Sequence, residues 1–300
     1  MGKNFLDLAQ QGENAWWRYL LSFFIILFGW LGLSIVLGVL LVLAVTYDND
    51  PKTFIDLEVG QIVGVDPLII LLISLLGSVA LVVSLFVTVR FVHQRPILSL
   101  ITPQPHFDWK RFALGFGFFL LLVAVVSLVE AMLYPGRYQL TFNANEFLKF
   151  LPVLLIFLPF QSAAEELLFR GYLMQSIGLI TRRSFIPAVI SSLTFMLLHL
   201  ANPEVSVNFI LLPAYYFGVG LLLALVTLKD NRLELAIGAH VATNLYAGLL
   251  ANYTNSVLST PAIFTVAKLD ATYTLVSFIV IGIIFYAGLF LRKRKENNLK

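Results

Sequence analysis

Within an otherwise apolar stretch, Phe160 to Leu173, the sequence places Glu165, Glu166 and Arg170. Carboxylates can move protons, but each charge costs roughly 2.5 to 3.5 kcal/mol to insert at membrane depth. The cluster must therefore be offset by pairing, by water or by a task. Successive helical residues point about 100° apart, so the two glutamates face different surroundings. Arg170 follows Glu166 by four positions, the preferred order for an acid–base pair on a helix, and lies five from Glu165. Glu166 and Arg170 are thus expected to form a structural ion pair, leaving Glu165 facing the interior of a bundle. Two histidines extend the set. His199 and His240 lie in other apolar stretches, each with a companion one helical turn away: Phe195 before His199 and Asn244 after His240. His240 and Asn244 share a face and present two polar groups to one point, while Phe195 supplies an apolar wall beside His199. His93 and His106 fall in a basic loop, where they are expected to be solvated or at the headgroups and without a special role.

The elements that must position these groups are membrane helices. The chain has 300 residues, of which 59% are hydrophobic and 12% charged, and its mean hydropathy is +0.88. That is too apolar for a soluble globule, so the expected fold is all-α, a polytopic transmembrane helical bundle. Eight spans of about 20 residues can be drawn: Leu20 to Tyr47, Pro67 to Val89, Phe112 to Tyr134 (carrying Glu130), Phe147 to Leu173, Phe185 to Ala201, Val205 to Leu228, Leu233 to Ala251 and Ala271 to Leu291. The first is longer than a signal-peptide core and is expected to be retained. Basic residues favour the cytoplasmic side. With both termini inside, that side holds 15 of them: Lys3, Arg18, Arg90, Arg95, Lys110, Arg111, Arg182, Arg183, Lys229, Arg232, Arg292, Lys293, Arg294, Lys295 and Lys300. The outside holds four, Lys52, Arg137, Lys149 and Lys268, beside the acidic loop carrying Asp48, Asp50, Asp56, Glu58 and Asp66. The stretch Arg95 to Lys110 is the expected boundary between accessory spans in 1–105 and a core in 106–300. With no cysteine, disulfides, thiolate catalysis and cysteine-ligated zinc are excluded. No basic face with interleaved aromatics suggests nucleic acid as a partner.

In order and spacing, Glu165-Glu166-x-x-x-Arg170, Phe195-x-x-x-His199 and His240-x-x-x-Asn244 resemble the three motifs of the type II CAAX prenyl endopeptidase and bacteriocin-processing (CPBP, or Abi) family of intramembrane proteases. The resemblance covers about Phe147 to Ala251 and implies an intramembrane endopeptidase with its site toward the cytoplasm. Amide hydrolysis needs an activated water, a proton donor for the leaving nitrogen and stabilisation of the oxyanion. On that reading Glu165 takes a proton from water and returns it, His199 holds the water, and His240 and Asn244 donate to the oxyanion. Phe195 packs against the set, and Glu166 with Arg170 keeps the helix in register.

No metal is favoured, because no helix carries paired histidines at i and i+4. The alternative is a zinc site using Glu165, His199 and His240 as ligands. Expected partners are the lipid bilayer and a membrane-embedded or lipidated peptide or protein substrate, and the expected location is a prokaryotic plasma membrane. A non-catalytic scaffold or immunity protein, or a transporter, would use the same buried charges for helix association or proton relay. Against transport, no pair of Gly/Pro-broken spans recurs in matching halves. At about 1.5 Å per residue, Glu165 lies about 12 Å, His240 about 10 Å and His199 about 20 Å from the inner ends of their expected spans. Pro152 and Pro159 are expected to bend the fourth helix and open a water-filled cavity. The orientation is checked with single cysteines at positions 56 and 104. In intact cells an impermeant reagent is expected to label position 56 and spare position 104; the opposite pattern would invert the topology.

Overall fold

The structure is a computed structural model that describes residues 4–48, 50–56, 61–181 and 183–291. Glu58 and, among the basic residues used for orientation, Lys3, Arg182, Arg292, Lys293, Arg294, Lys295 and Lys300 lie outside the described residues. The helices are α1 (Trp16–Tyr47), α2 (Pro67–Val87), α3 (Trp109–Leu133), α4 (Ala144–Gly178), α5 (Phe185–His199), α6 (Leu211–Asp230), α7 (Glu234–Leu245) and α8 (Ala271–Phe290). A π-helical turn, Thr88–Val92, continues α2, another, Tyr246–Leu250, continues α7, and α4 is π-helical over Leu167–Met174. Polar residues at the helix starts explain where several begin. Asp66, Asp108, Asn143 and Asp270 each accept from the backbone N–H groups of the first turn, which otherwise have no partner.

The chain is an all-α polytopic bundle, and among the described residues six helices are long and apolar enough to cross a membrane: α1, α2, α3, α4, α6 and α8. The expected fifth span is short: the 15 residues of α5 extend about 22 Å, against about 30 Å of hydrocarbon. The seventh keeps nearly its expected bounds, since α7 with its π-helical continuation runs from Glu234 to Leu250, about 25 Å. The chain turns early after α5 because Pro203–Val207 forms a 3₁₀ turn, so α6 begins at Leu211 rather than near Val205. Short strands, absent from the sequence-based expectation, join the outer ends. β1 (Phe54–Asp56) pairs antiparallel with β2 (Gln61–Val63). A second sheet orders β3 (Tyr138–Leu140), β5 (Phe264–Val266) and β4 (Ala251–Tyr253), antiparallel and then parallel. The prolines Pro152 and Pro159 sit inside α4, which stays helical through both.

Two glycines let α7 reach the centre of the bundle. A β-carbon at Gly238 would lie 2.3 Å from the Phe112 carbonyl oxygen, and one at Gly115 would lie 2.3 Å from that of Leu235. Only glycine permits this backbone approach of α3 to α7, the small-residue packing typical of membrane helices. The first turn of α7, Glu234 to Ile237, is accordingly buried.

Helix ends carrying the expected cytoplasmic loops gather at one end of the bundle. Arg111 pairs with Asp230 at 3.0 Å, Arg232 with Asp108 at 3.2 Å, and Asn231 accepts from the Phe5 N–H at 2.6 Å. Lys149 with Asp66, and Arg137 with Asp270, mark the opposite end. The first part of the stretch around the expected domain boundary is packed, since Arg95 donates to Gln175, and Gln175 to the Ser99 carbonyl, both at 2.9 Å, while Gln104 to His106 are exposed.

His93 is buried, with 2% of its surface exposed, and corrects the expectation of a solvated loop histidine. Because α2 runs on through Val92, His93 lies under the amino-terminal segment. Its Nδ1–H donates to the Glu13 carbonyl (2.9 Å) and its Nε2 accepts from the Tyr172 hydroxyl (2.9 Å). Burial first, with the nearby Arg95 and Arg18 charges, lowers its pKa below the ordinary histidine value, against the opposing pull of the Glu13 carbonyl. The unfolded chain therefore binds this proton more readily than the folded one. Stability is complete above the ordinary histidine pKa and declines as pH falls below it. Between about pH 8 and about pH 5 the wild type is expected to lose more thermal stability than His93→Gln, as measured by melting in detergent.

Candidate active site

All seven sequence-predicted residues meet at the junction of α4, α5 and α7. Glu166 and Arg170, both fully buried, pair at 2.7 Å, and Arg170 Nη2 donates to the Gly220 carbonyl of α6 at 2.9 Å. The same carboxylate oxygen, Glu166 Oε1, also accepts from His240 Nδ1 at 2.8 Å. The ion pair thus orients a histidine as well as stabilising its helix. A carboxylate in this position can only accept, so it fixes His240 with the proton on Nδ1 and the lone pair of Nε2 pointing the other way.

His199 reaches the same state by another route. Its Nδ1 donates to the Phe195 carbonyl one turn earlier at 2.7 Å, which leaves its Nε2 as an acceptor. The two Nε2 atoms converge on Glu165 Oε2, at 3.8 Å from His199 and 3.6 Å from His240. That oxygen is buried and receives no hydrogen bond from the protein. A carboxylate oxygen flanked by two imidazole acceptors is suited to binding something that brings protons, such as a water, because the three groups cannot satisfy one another.

The other face of Glu165 is held by Gln161, whose amide donates to Oε1 while its own carbonyl accepts from Asn244 Nδ2 at 2.8 Å. Asn244 Nδ2 also donates to Ser162 Oγ at 3.0 Å. Both amide hydrogens of Asn244 are engaged here, so its Oδ1 is the atom left for a ligand. Gln161 and Ser162 were not singled out from the sequence. Gln161 lies four residues before Glu165 and so shares its helical face, a signal that was available. Tyr216, which packs against His199 with ring centroids 4.6 Å apart, had none, because only the tertiary fold brings α6 to α5. Phe195 lies on the other side of His199 at 4.2 Å, and the Arg170 guanidinium sits 4.9 Å from the centre of the Phe195 ring.

The depth discrepancy of the sequence disappears. α4 continues to Gly178, five residues past the expected inner end, which puts Glu165 about 20 Å in, level with His199. α7 begins below the surface, so a count from its first residue understates the depth of His240. A cavity of about 210 Å³ adjoins the site, walled by Phe195, His199, Tyr216, His240 and Asn244 on one side and by Ser127, Glu130, Tyr273 and Ser277 of α3 and α8 on the other. No α4 residue lines it. This is not the cavity expected from a bend in α4: it lies toward α3 and α8. Among the described residues no group of three or more His, Cys, Asp or Glu side chains is placed to hold a metal ion.

The family model described as type II CAAX prenyl endopeptidase Rce1-like matches residues 147–246, the segment that contains all of these groups. Uncharacterized protein YyaK of Bacillus subtilis (strain 168) is 30% identical over 292 residues, covering 97% of this chain and 96% of its own length. The chain belongs to the Rce1-like family. No solved structure matches. Membership of this family, together with the six apolar helices, makes the chain an integral membrane protein.

Removing Arg170 would leave Glu166 buried without its cation, a loss of about 3–5 kcal/mol. Arg170→Met and Glu166→Gln are each expected to lower the melting temperature sharply, and the double variant to lose less than the sum of the two. Additive losses would show that the pair is not coupled.

Proposed function

We propose that the protein is an intramembrane endopeptidase of CAAX-protease type that hydrolyses peptide bonds of membrane-embedded or lipidated substrates, using a water activated by Glu165. One observation carries this reading: Glu165 Oε2 and the Nε2 atoms of His199 and His240 converge as three acceptors in a buried site beside a cavity. Family membership supports the reaction class.

A water between Glu165 and His199 donates one hydrogen to each. Glu165 takes the proton as the oxygen attacks the substrate carbonyl, and returns it to the leaving nitrogen. His240 donates to the oxyanion when its Nε2 carries a second proton, with Glu166 beneath its Nδ1 supporting that charge. Asn244 contributes through Oδ1, which accepts a substrate N–H, or donates to the oxyanion after exchanging its partners. The basic loops support a cytoplasmic inner end, while the cavity beside the site reaches Glu130 and Tyr273 toward the opposite end, and a prokaryotic plasma membrane is the proposed location.

Zinc on Glu165, His199 and His240 would have its ligand atoms about 3.4 Å apart in a tetrahedron. The carboxylate-to-imidazole separations of 3.6 and 3.8 Å are wider than that. The Nδ1 anchors alone do not discriminate, since metal-bound histidines are anchored in the same way. We therefore derive no step through a metal.

With a prenylated CAAX peptide in detergent or in vesicles, Glu165→Gln and His199→Ala are expected to reduce cleavage at least about a hundredfold while the protein stays folded. Full activity in Glu165→Gln would remove the assignment. Dialysis against a strong chelator is expected to leave turnover intact. Loss that one equivalent of zinc restores, with stoichiometric metal in the active protein, would make the three residues ligands instead.

A further inference from the structure

Glu204 is a buried carboxylate that the proposed reaction does not use. It lies in the 3₁₀ turn after α5, is 3% exposed and, among the described residues, has no cationic partner. Four neutral donors satisfy it instead. Its Oε1 accepts from the Tyr216 hydroxyl at 2.6 Å, the Tyr253 hydroxyl at 3.0 Å and Asn202 Nδ2 at 3.4 Å, and its Oε2 accepts from the Val257 N–H at 3.2 Å. Burying a carboxylate without a counter-charge is costly, and its hydrogen bonds are what offset that cost. Glu204 thereby ties the turn after α5 to α6 through Tyr216, and to the outer sheet through Tyr253 of β4.

One of these ties leads to the active site. His199 is the last residue of α5, where no further helical turn confines its ring. Its faces are confined by Phe195 at 4.2 Å, with 29° between planes, and by Tyr216 at 4.6 Å, with 34° between planes. Phe195 is locked by packing, being 1% exposed. Tyr216 is held at its far end by the hydroxyl bonds to Glu204 and Asn202. We propose that Glu204 is a positioning residue for His199, acting through Tyr216: its charge-assisted bond fixes the tyrosine ring, and the ring holds the imidazole with Nε2 toward Glu165. A carboxylate suits this post better than an amide. Glutamine has one acceptor oxygen and could not accept from both tyrosines and from the Val257 amide.

This inference rests on the endopeptidase reading only for its kinetic consequence, so the test has two arms. The chain has four histidines, and labelling them with ¹⁵N and ¹³C gives a small set of ring signals that single His→Gln variants assign in detergent micelles. Glu204→Gln and Tyr216→Phe are expected to shift the His199 ring signals and leave those of His93 unmoved, which also reports that the variant is folded. Tyr253→Phe removes a bond to the same carboxylate but has no contact with His199. It is expected to lower the melting temperature while leaving the His199 signals and turnover in place. With a prenylated CAAX peptide, Tyr216→Phe is expected to lower kcat about tenfold at unchanged KM, as a small misplacement of a catalytic group does. His199 signals that stay put in both Glu204→Gln and Tyr216→Phe would overturn the proposal, as would equal shifts in Tyr253→Phe. If the wild type cleaves no such peptide, the endopeptidase reading fails and the histidine spectra still decide the role of Glu204.

Discussion

The structure turns on one carboxylate oxygen. Glu166 Oε1 binds both Arg170 and His240 in a fully buried setting, and through them it joins α4 to α6 and α7. In a medium of low polarisability a charge so placed is tolerable only while both partners remain, so the helices that carry them cannot slide or rotate independently. The same oxygen sets the tautomer of His240 and so decides which nitrogen faces Glu165. Stability and chemistry therefore share an atom. The two adjacent glutamates divide the work: Oε1 of Glu166 is held by a cation and a ring, while Oε2 of Glu165, without a protein donor, lies between two imidazoles.

Around that centre the fold solves a positioning problem with few polar groups. His199 is anchored by its own helix carbonyl, His240 by Glu166, and Glu165 by Gln161. The glycine contacts between α3 and α7 bring the short α7 into the middle of the bundle, where its histidine meets residues from helices distant in sequence. Each anchor is local or pairwise, and the site is their intersection.

Much of this was legible in the sequence because the informative residues are ionisable groups in a setting that penalises them. Glu165, Glu166, Arg170, His199 and His240 stand out against an apolar background, and the i,i+4 rule paired Glu166 with Arg170 as observed. Span boundaries were less legible where hydrophobicity continued past the helix. Apolar residues carry the pattern through Ala201 and from Val205 onward, yet a proline turn intervenes. His93 was misread because composition placed it in a basic loop, whereas its burial arises from the amino-terminal segment folding back over α2, a tertiary event without local signature. Tyr216 and Glu204 were hidden for the same reason: a tyrosine in a span and a glutamate in a loop are ordinary until the fold sets one against the other.

The shortness of α5 has a consequence for the lipid around it. α7 is enclosed by protein, but α5 turns Phe185, Ile190, Leu193 and Leu197 outward. Hydrocarbon about 30 Å thick must there meet a helix about 22 Å long. Such hydrophobic mismatch is relieved by local thinning of the bilayer or by tilt of the helix. His199 closes the end of that helix, so a thinned leaflet brings the headgroup region nearer to the Glu165 and His199 side chains. Membrane thickness then becomes a variable that sets how far those side chains lie from water.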